Sequence, residues 1–133
     1  YSAAFLLTMW LLGMVESPWA LMAVPAAVLI GFAFAAVGMA FTTFMRSWAD
    51  FEYIPSITLP LFLFSAVFYP VEQYGEWEWV VNLSPLYHGV ELVRAANFGQ
   101  WSNDLVIHAG VLVALSGVGV TIAARRIQRL LLT

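Results

Sequence analysis

The sequence predicts an all-α, polytopic membrane protein of about four transmembrane helices, with a re-entrant helical hairpin on the outer side before the last of them. Three observations carry this. The 133 residues are 62% hydrophobic and 10% charged, against about 25% charged in soluble domains. Long stretches from Ser17 to Met45, Tyr53 to Val71 and Leu105 to Ala124 contain no charged residue, and each meets the ~20 apolar residues that a bilayer demands. These runs also lack the period-2 alternation of barrel strands, so helices are the only way to satisfy their backbone in lipid.

The first run, Ser2 to Val15, is too short to span comfortably, and Tyr1 opens directly into it without a basic flank. The expectation is a piece of a longer protein, cut within a membrane helix. A break at Val15-Glu16-Ser17-Pro18 follows, with Ser17 placed to cap the next helix and Pro18 in its first turn. A second short break, Arg46 to Glu52, precedes the third run, and a long one, Glu72 to Asp104, precedes the last. All five basic residues are arginines: Arg46 follows the second run and Arg125, Arg126 and Arg129 follow the last. The positive-inside rule puts those four, and with them the C-terminus, in the cytoplasm. The insert carrying Glu72, Glu76 and Glu78 then faces outside, with Arg94 as its exception.

Within the insert, Ser84-Pro85 reads as an N-cap and first-turn proline, and Gly99 as a stop, which predicts a helix from Pro85 to Phe98. His88, Glu91, Arg94 and Asn97 recur at every third position of it as a polar stripe. Upstream, Glu76 to Leu83 predicts a further short helical turn, with Trp77 and Trp79 suited to the headgroup region. The expected picture is a hairpin over about residues 72–99 that enters the outer leaflet and returns, with Glu91 or a group elsewhere pairing Arg94 to make its depth tolerable; the alternative is a loop helix lying on the outer membrane surface.

Several function classes are disfavoured, with an ion channel or ion-coupled carrier kept as the alternative reading and an intramembrane enzyme behind it. The net charge of −3 and the lack of a basic cluster outside the C-terminus argue against nucleic acid. Without cysteine or an HExxH motif, His88 and Glu91 do not make a zinc site. An intramembrane enzyme would need a base facing Ser65 or Ser116, and no histidine lies at comparable depth. A channel or ion-coupled carrier would need ionisable groups inside the spans, which hold only His108 near one end. Pro25, Pro55 and Pro60 are candidates for kinks or hinges. Gly31, Ala35, Gly38, Gly110, Gly117 and Gly119 are candidates for close helix contacts.

From Gly31 to Arg94 the sequence resembles the C-terminal half of ABC type-2 transporter permeases, the exporter family with nodulation-factor, capsular polysaccharide and daunorubicin-type members. Three blocks carry the resemblance in order: a polar turn Ser47-Trp48-Ala49-Asp50-Phe51, then Phe64-Ser65-Ala66-Val67-Phe68-Tyr69-Pro70, then Pro85, His88 and Arg94 in a Pro-x-x-His-x-x-x-x-x-Arg pattern. One departure is that Ala66 stands where the family usually has glycine, a small exchange on paper. Another is that the first two of six helices, with the region expected to seat the ATPase, are missing.

The resemblance implies a single transmembrane domain over residues 1–133, belonging to a six-helix permease of the cytoplasmic membrane. It implies no catalytic residue and no cofactor or metal on this chain, with ATP and magnesium on a partner ABC ATPase subunit. A second permease subunit, identical or paralogous, and membrane lipids complete the partners. The cargo would be amphipathic: a drug, a lipid or a lipid-linked glycan. His88, Glu91 and Arg94 are then the expected locks of an outward gate. Phe64, Phe68, Tyr69, Trp77, Trp79 and Tyr87 are the expected exit surface, and Arg46, Asp50 and Glu52 the expected cytoplasmic contact.

Overall fold

A computed structural model describes residues 1–15, 18–100 and 102–132. Every regular element among the described residues is helical, and they contain no strand. In order they form α1 (Ser2–Leu11), α2 (Ala23–Thr42), α3 (Tyr53–Leu63), α4 (Glu78–Leu83), α5 (Pro85–Phe98) and α6 (Asp104–Leu131), with 3-10 turns at Pro18–Met22, Trp48–Glu52 and Val71–Trp77. The proposed cap at Ser17 and its neighbour Glu16 lie outside the described residues.

Two helical stretches are long and apolar enough to cross a membrane, the 25 residues Pro18–Thr42 and the 28 residues Asp104–Leu131. They pack on each other as the centre of the fold. Apart from Leu112, their buried residues are small: Ala33, Ala36 and Ala40 on α2, against Ser116, Gly119 and Ala123, with Leu112, on α6. Spacings of three and four put each set on one helical face, and small side chains let the backbones approach. Gly119 marks the tightest point, since a Cβ there would stand 2.7 Å from the Ala36 carbonyl carbon. The large apolar side chains turn the other way: Phe32, Met39, Val113 and Val118 are all exposed, as a lipid solvent allows.

The other glycines singled out in the sequence have no such role within this chain. A Cβ at Gly31, Gly38, Gly110 or Gly117 would meet nothing within 4 Å. Helical periodicity finds a small-residue stripe but does not say which face is covered. Here the covered face is that of the alanines.

The third apolar run departs most from expectation. The α3 helix stops at Leu63 after 11 residues, about 16 Å at 1.5 Å per residue, well short of the ~30 Å hydrocarbon core. The apolar run continues to Val71, but the helix does not. The Ser65 hydroxyl donates to the Phe62 carbonyl at 2.5 Å and the Tyr74 hydroxyl donates to the Leu63 carbonyl at 2.7 Å. Ala66 then takes φ 57°, in the left-handed region. Side chains thus satisfy the last helical carbonyls and the chain turns. Of the prolines, Pro25 and Pro55 occupy the first turns of α2 and α3, where a missing N–H costs little, and only Pro60 lies in a helix interior.

The predicted helix in the insert is α5, over the same residues, Pro85–Phe98. Ser84 has extended backbone geometry, Pro85 opens the first turn, and Gly99 closes the helix at φ 66°. The Ser84 hydroxyl makes no capping bond, however, and is buried without a partner. The short helical turn expected at Glu76–Leu83 is α4, Glu78–Leu83, with Glu76 and Trp77 in the 3-10 turn before it. α5 packs against α6, α2 and the Pro18–Met22 turn, crossing α2 where a Cβ on Gly89 would stand 3.0 Å from the Ile30 side chain.

At the far end of α6, Arg126 does more than mark orientation. Its Nη2 donates to the Thr43 carbonyl at 3.3 Å, and its guanidinium lies 3.8 Å from the centre of the Phe44 ring. A cation thereby meets the negative end of α2 and an aromatic face together.

Candidate functional site

The stripe His88, Glu91, Arg94 and Asn97 winds around α5, so its members face different neighbours. His88, 8% exposed, points at α6, where its Nδ1 lies 2.6 Å from Nδ1 of His108. Tyr87 stands edge-on to the His108 ring at 5.7 Å between centres. Burial, then the neighbouring His108, hold the His88 imidazole below its ordinary pKa, while the Asn82 carbonyl acts the other way. Burial first, and then the Glu91 charge, raise the Tyr87 phenol. Both side chains are neutral near neutrality. The sequence reading treated the two histidines separately because they are twenty residues apart on different helices. The one available signal was that both sit within a turn of a helix start, on segments joined by a short loop.

Arg94 resolves the exception in the charge pattern. Nη1 meets Glu91 Oε1 at 2.5 Å, and Nη2 donates to the Ala66 carbonyl at 3.1 Å. The expected pairing with Glu91 is present. The second bond was not foreseen: it ties the middle of α5 to the turn that ends α3. With the guanidinium half-exposed, the ion pair contributes ~0–1 kcal/mol. The bond to a part-buried carbonyl is the greater term, about 1.5–3 kcal/mol.

That turn gives the family departure at Ala66 more weight than its size suggests. The residue is 1% exposed and left-handed, a conformation costing about 1–2 kcal/mol in any residue but glycine. Loss of one buried methyl costs roughly 0.8 kcal/mol. Ala66→Gly is therefore expected to stabilise the protein by up to about 1 kcal/mol, and Ala66→Val, β-branched, to destabilise it by about 2 kcal/mol or more. Thermal unfolding of the purified protein in one detergent checks both. A loss of stability in the glycine variant would contradict the assignment of strain.

The six aromatics of the expected exit surface do not form one cluster. Phe68 pairs with Phe62 at 5.7 Å and Phe64 with Tyr74 at 6.0 Å, while Tyr87 turns inward to the histidines. Tyr69, Trp77 and Trp79 stand exposed. On the opposite break, Asp50 accepts hydrogen bonds from the backbone N–H groups of Arg46 at 2.7 Å and Ser47 at 3.0 Å, which hold its carboxyl below the usual range. Its role is local, opening the Trp48–Glu52 turn in a capping box with Ser47. Glu52 leads into α3.

Hydroxyls that would serve an enzyme are occupied by their own helices. Ser116 donates to the Leu112 carbonyl at 2.8 Å and Ser65 to Phe62 as described. Among the described residues no three histidine or acidic side chains come together to hold a metal ion. An apolar groove of about 710 Å³ runs between α1, α2 and α5 and has Arg94 and Asn97 on its wall.

The described residues are thus those of a helical protein whose two helices long and apolar enough to cross a membrane pack on each other, with the short α4 and α5 helices beside them. Residues 2–98 match the family model described as ABC-2 type transporter, which covers most of the chain, and the chain belongs to that family. It is similar to nodulation protein J of Sinorhizobium fredii (strain NBRC 101917 / NGR234), 27% identical over 132 residues, 98% of this chain and 50% of that protein. It is also similar to nodulation protein J of Rhizobium leguminosarum bv. viciae, 30% identical over 94 residues, 69% of this chain and 36% of that protein. Nodulation protein J of Rhizobium meliloti (strain 1021) is 27% identical over 123 residues, 91% of this chain and 47% of that protein. The chain thus spans about half the length of these curated relatives, or less. No solved structure matches it. Members of the family are membrane subunits of transporters and are not themselves catalytic.

Proposed function

We propose that this chain is part of the permease subunit of an ATP-driven exporter in the cytoplasmic membrane. The observation that carries the reading is the family match over residues 2–98, which includes every element up to the end of α5. ATP and magnesium would bind a partner ABC ATPase subunit, and a second permease, identical or paralogous, would complete the path. The cargo is amphipathic, a drug, lipid or lipid-linked glycan. In favour of this stand the predominantly apolar groove beside Arg94 and Asn97 and the exposed rings of Phe68, Tyr69, Trp77 and Trp79.

The segment of about residues 72–99 is the outward gate in this reading, with His88, Glu91 and Arg94 as its locks. Each of the three bonds to another element or to a neighbour in the stripe, which supports a locking role over a chemical one. Arg46, Asp50 and Glu52 lie on the cytoplasmic side with the C-terminus, close to where the ATPase docks. Purification of the full-length parent from its native membrane in mild detergent tests the core of the proposal. A stoichiometric ATP-hydrolysing subunit is expected to accompany it. Its absence, with no ATPase fused to the parent, would overturn ATP-driven export.

A further inference from the structure

The His88–His108 contact is the direct polar link between the α5 helix and α6, and its geometry sets a rule on protons. Two ring nitrogens 2.6 Å apart have room for one hydrogen between them. With one ring donating and the other accepting, the contact holds. With both nitrogens protonated, two N–H groups and two positive charges face each other across a part-buried space. That arrangement cannot persist.

We propose that His88 and His108 form a proton-sensitive catch, closed while the pair carries at most one shared proton and sprung when acid adds the second, freeing the α4–α5 pair from α6. Among the described residues no carboxylate forms an ion pair with either ring to offset the added charge. α2 and the Pro18–Met22 turn carry no ionisable side chain. On α6, Asp104 lies one turn before His108 and accepts from Ser102 at 3.5 Å. From α4 and the turn before it, Glu78 and Glu72 act on Tyr87, and so does Glu91 of α5, which Arg94 neutralises.

The sign agrees with the surroundings of His88. A histidine held below its ordinary pKa by burial contributes stability that is complete above the ordinary value of about 6.5 and lost as pH falls through it. The catch opens when a second proton enters the space between the two nitrogens, and acid supplies it. This concerns how the hairpin is held, and it stands whether or not the hairpin gates an export path.

The test uses the full-length permease in nanodiscs, any other cysteine replaced, with spin labels at Leu83→Cys and Val106→Cys, both exposed positions flanking the catch. Distances are read by double electron–electron resonance at about pH 7.5 and about pH 5. The unaltered pair is expected to give one narrow distance at the higher pH and at least about a fivefold larger long-distance fraction at the lower. His108→Gln, whose amide can donate to neutral His88 or accept from its cation, is expected to stay narrow at both. His108→Ala is expected to show the long distance at both. An unchanged distribution in the unaltered pair, or acid opening that persists in His108→Gln, would overturn the proposal. If His108→Ala fails to accumulate, the other two proteins still decide the matter.

Discussion

Replacing Gly119 with leucine is expected to separate α2 from α6 and to cost about 3 kcal/mol or more, the largest effect of any single change in this chain. A Cβ at this position already meets the Ala36 carbonyl carbon at 2.7 Å, its oxygen at 2.9 Å and the Val37 nitrogen at 2.9 Å. Those are backbone atoms in the middle of a helix and cannot swing aside as a side-chain tip does. Gly119→Ala is expected to cost about 1–3 kcal/mol by the same clash. Gly117→Ala, where nothing lies within 4 Å, is expected to change stability by less than about 1 kcal/mol, helped by the better helix propensity of alanine. Thermal unfolding in a fixed detergent, with membrane abundance as a second reading, checks the series. Equal effects at 117 and 119 would mean that the α2–α6 contact is not where the structure puts it.

Replacement of Arg94 by alanine is expected to reduce export about tenfold or more while leaving the amount of protein in the membrane nearly unchanged. The change removes the bond to the Ala66 carbonyl, which joins α5 to the end of α3, and leaves Glu91 without its cation. Insertion should not suffer, because it is driven by the two long apolar helices and not by this side chain. Arg94→Lys is expected to retain only part of the activity, since an ammonium cannot reproduce the planar fork that reaches two acceptors in different directions. Export rate per membrane-inserted protein separates these outcomes. Unimpaired export by Arg94→Ala would remove this residue from the gate.

The comparison of sequence with structure divides along a physical line. Local chemistry was legible: Pro85 and Gly99 fixed the ends of α5, and the three-residue spacing of Glu91 and Arg94 announced their bond. Long-range relations were not. Hydropathy counted nineteen uncharged residues from Tyr53 to Val71 as a span, because it does not register Ser65 and Tyr74 satisfying helical carbonyls or Ala66 turning left-handed. The glycine stripes gave the right residue class, but of those glycines only Gly119 lies on the face that α2 and α6 share within this chain. The contact between His88 and His108 joins two helices and has no trace in either helix alone.

The pairing of α2 with α6 also has a temporal consequence. Residues 43–103 lie between these helices, so during synthesis α2 enters the membrane long before its mate exists. Until then its alanine face lacks the partner it has in the folded chain, and α5 lacks one wall of its seat. α6 is therefore the keystone of biogenesis for these elements: a nascent chain that stops before Asp104 holds α1 to α5 but not the surface that assembles them. Such a truncation is expected to be a substrate for membrane quality control, whereas losses after Leu131 leave the keystone in place.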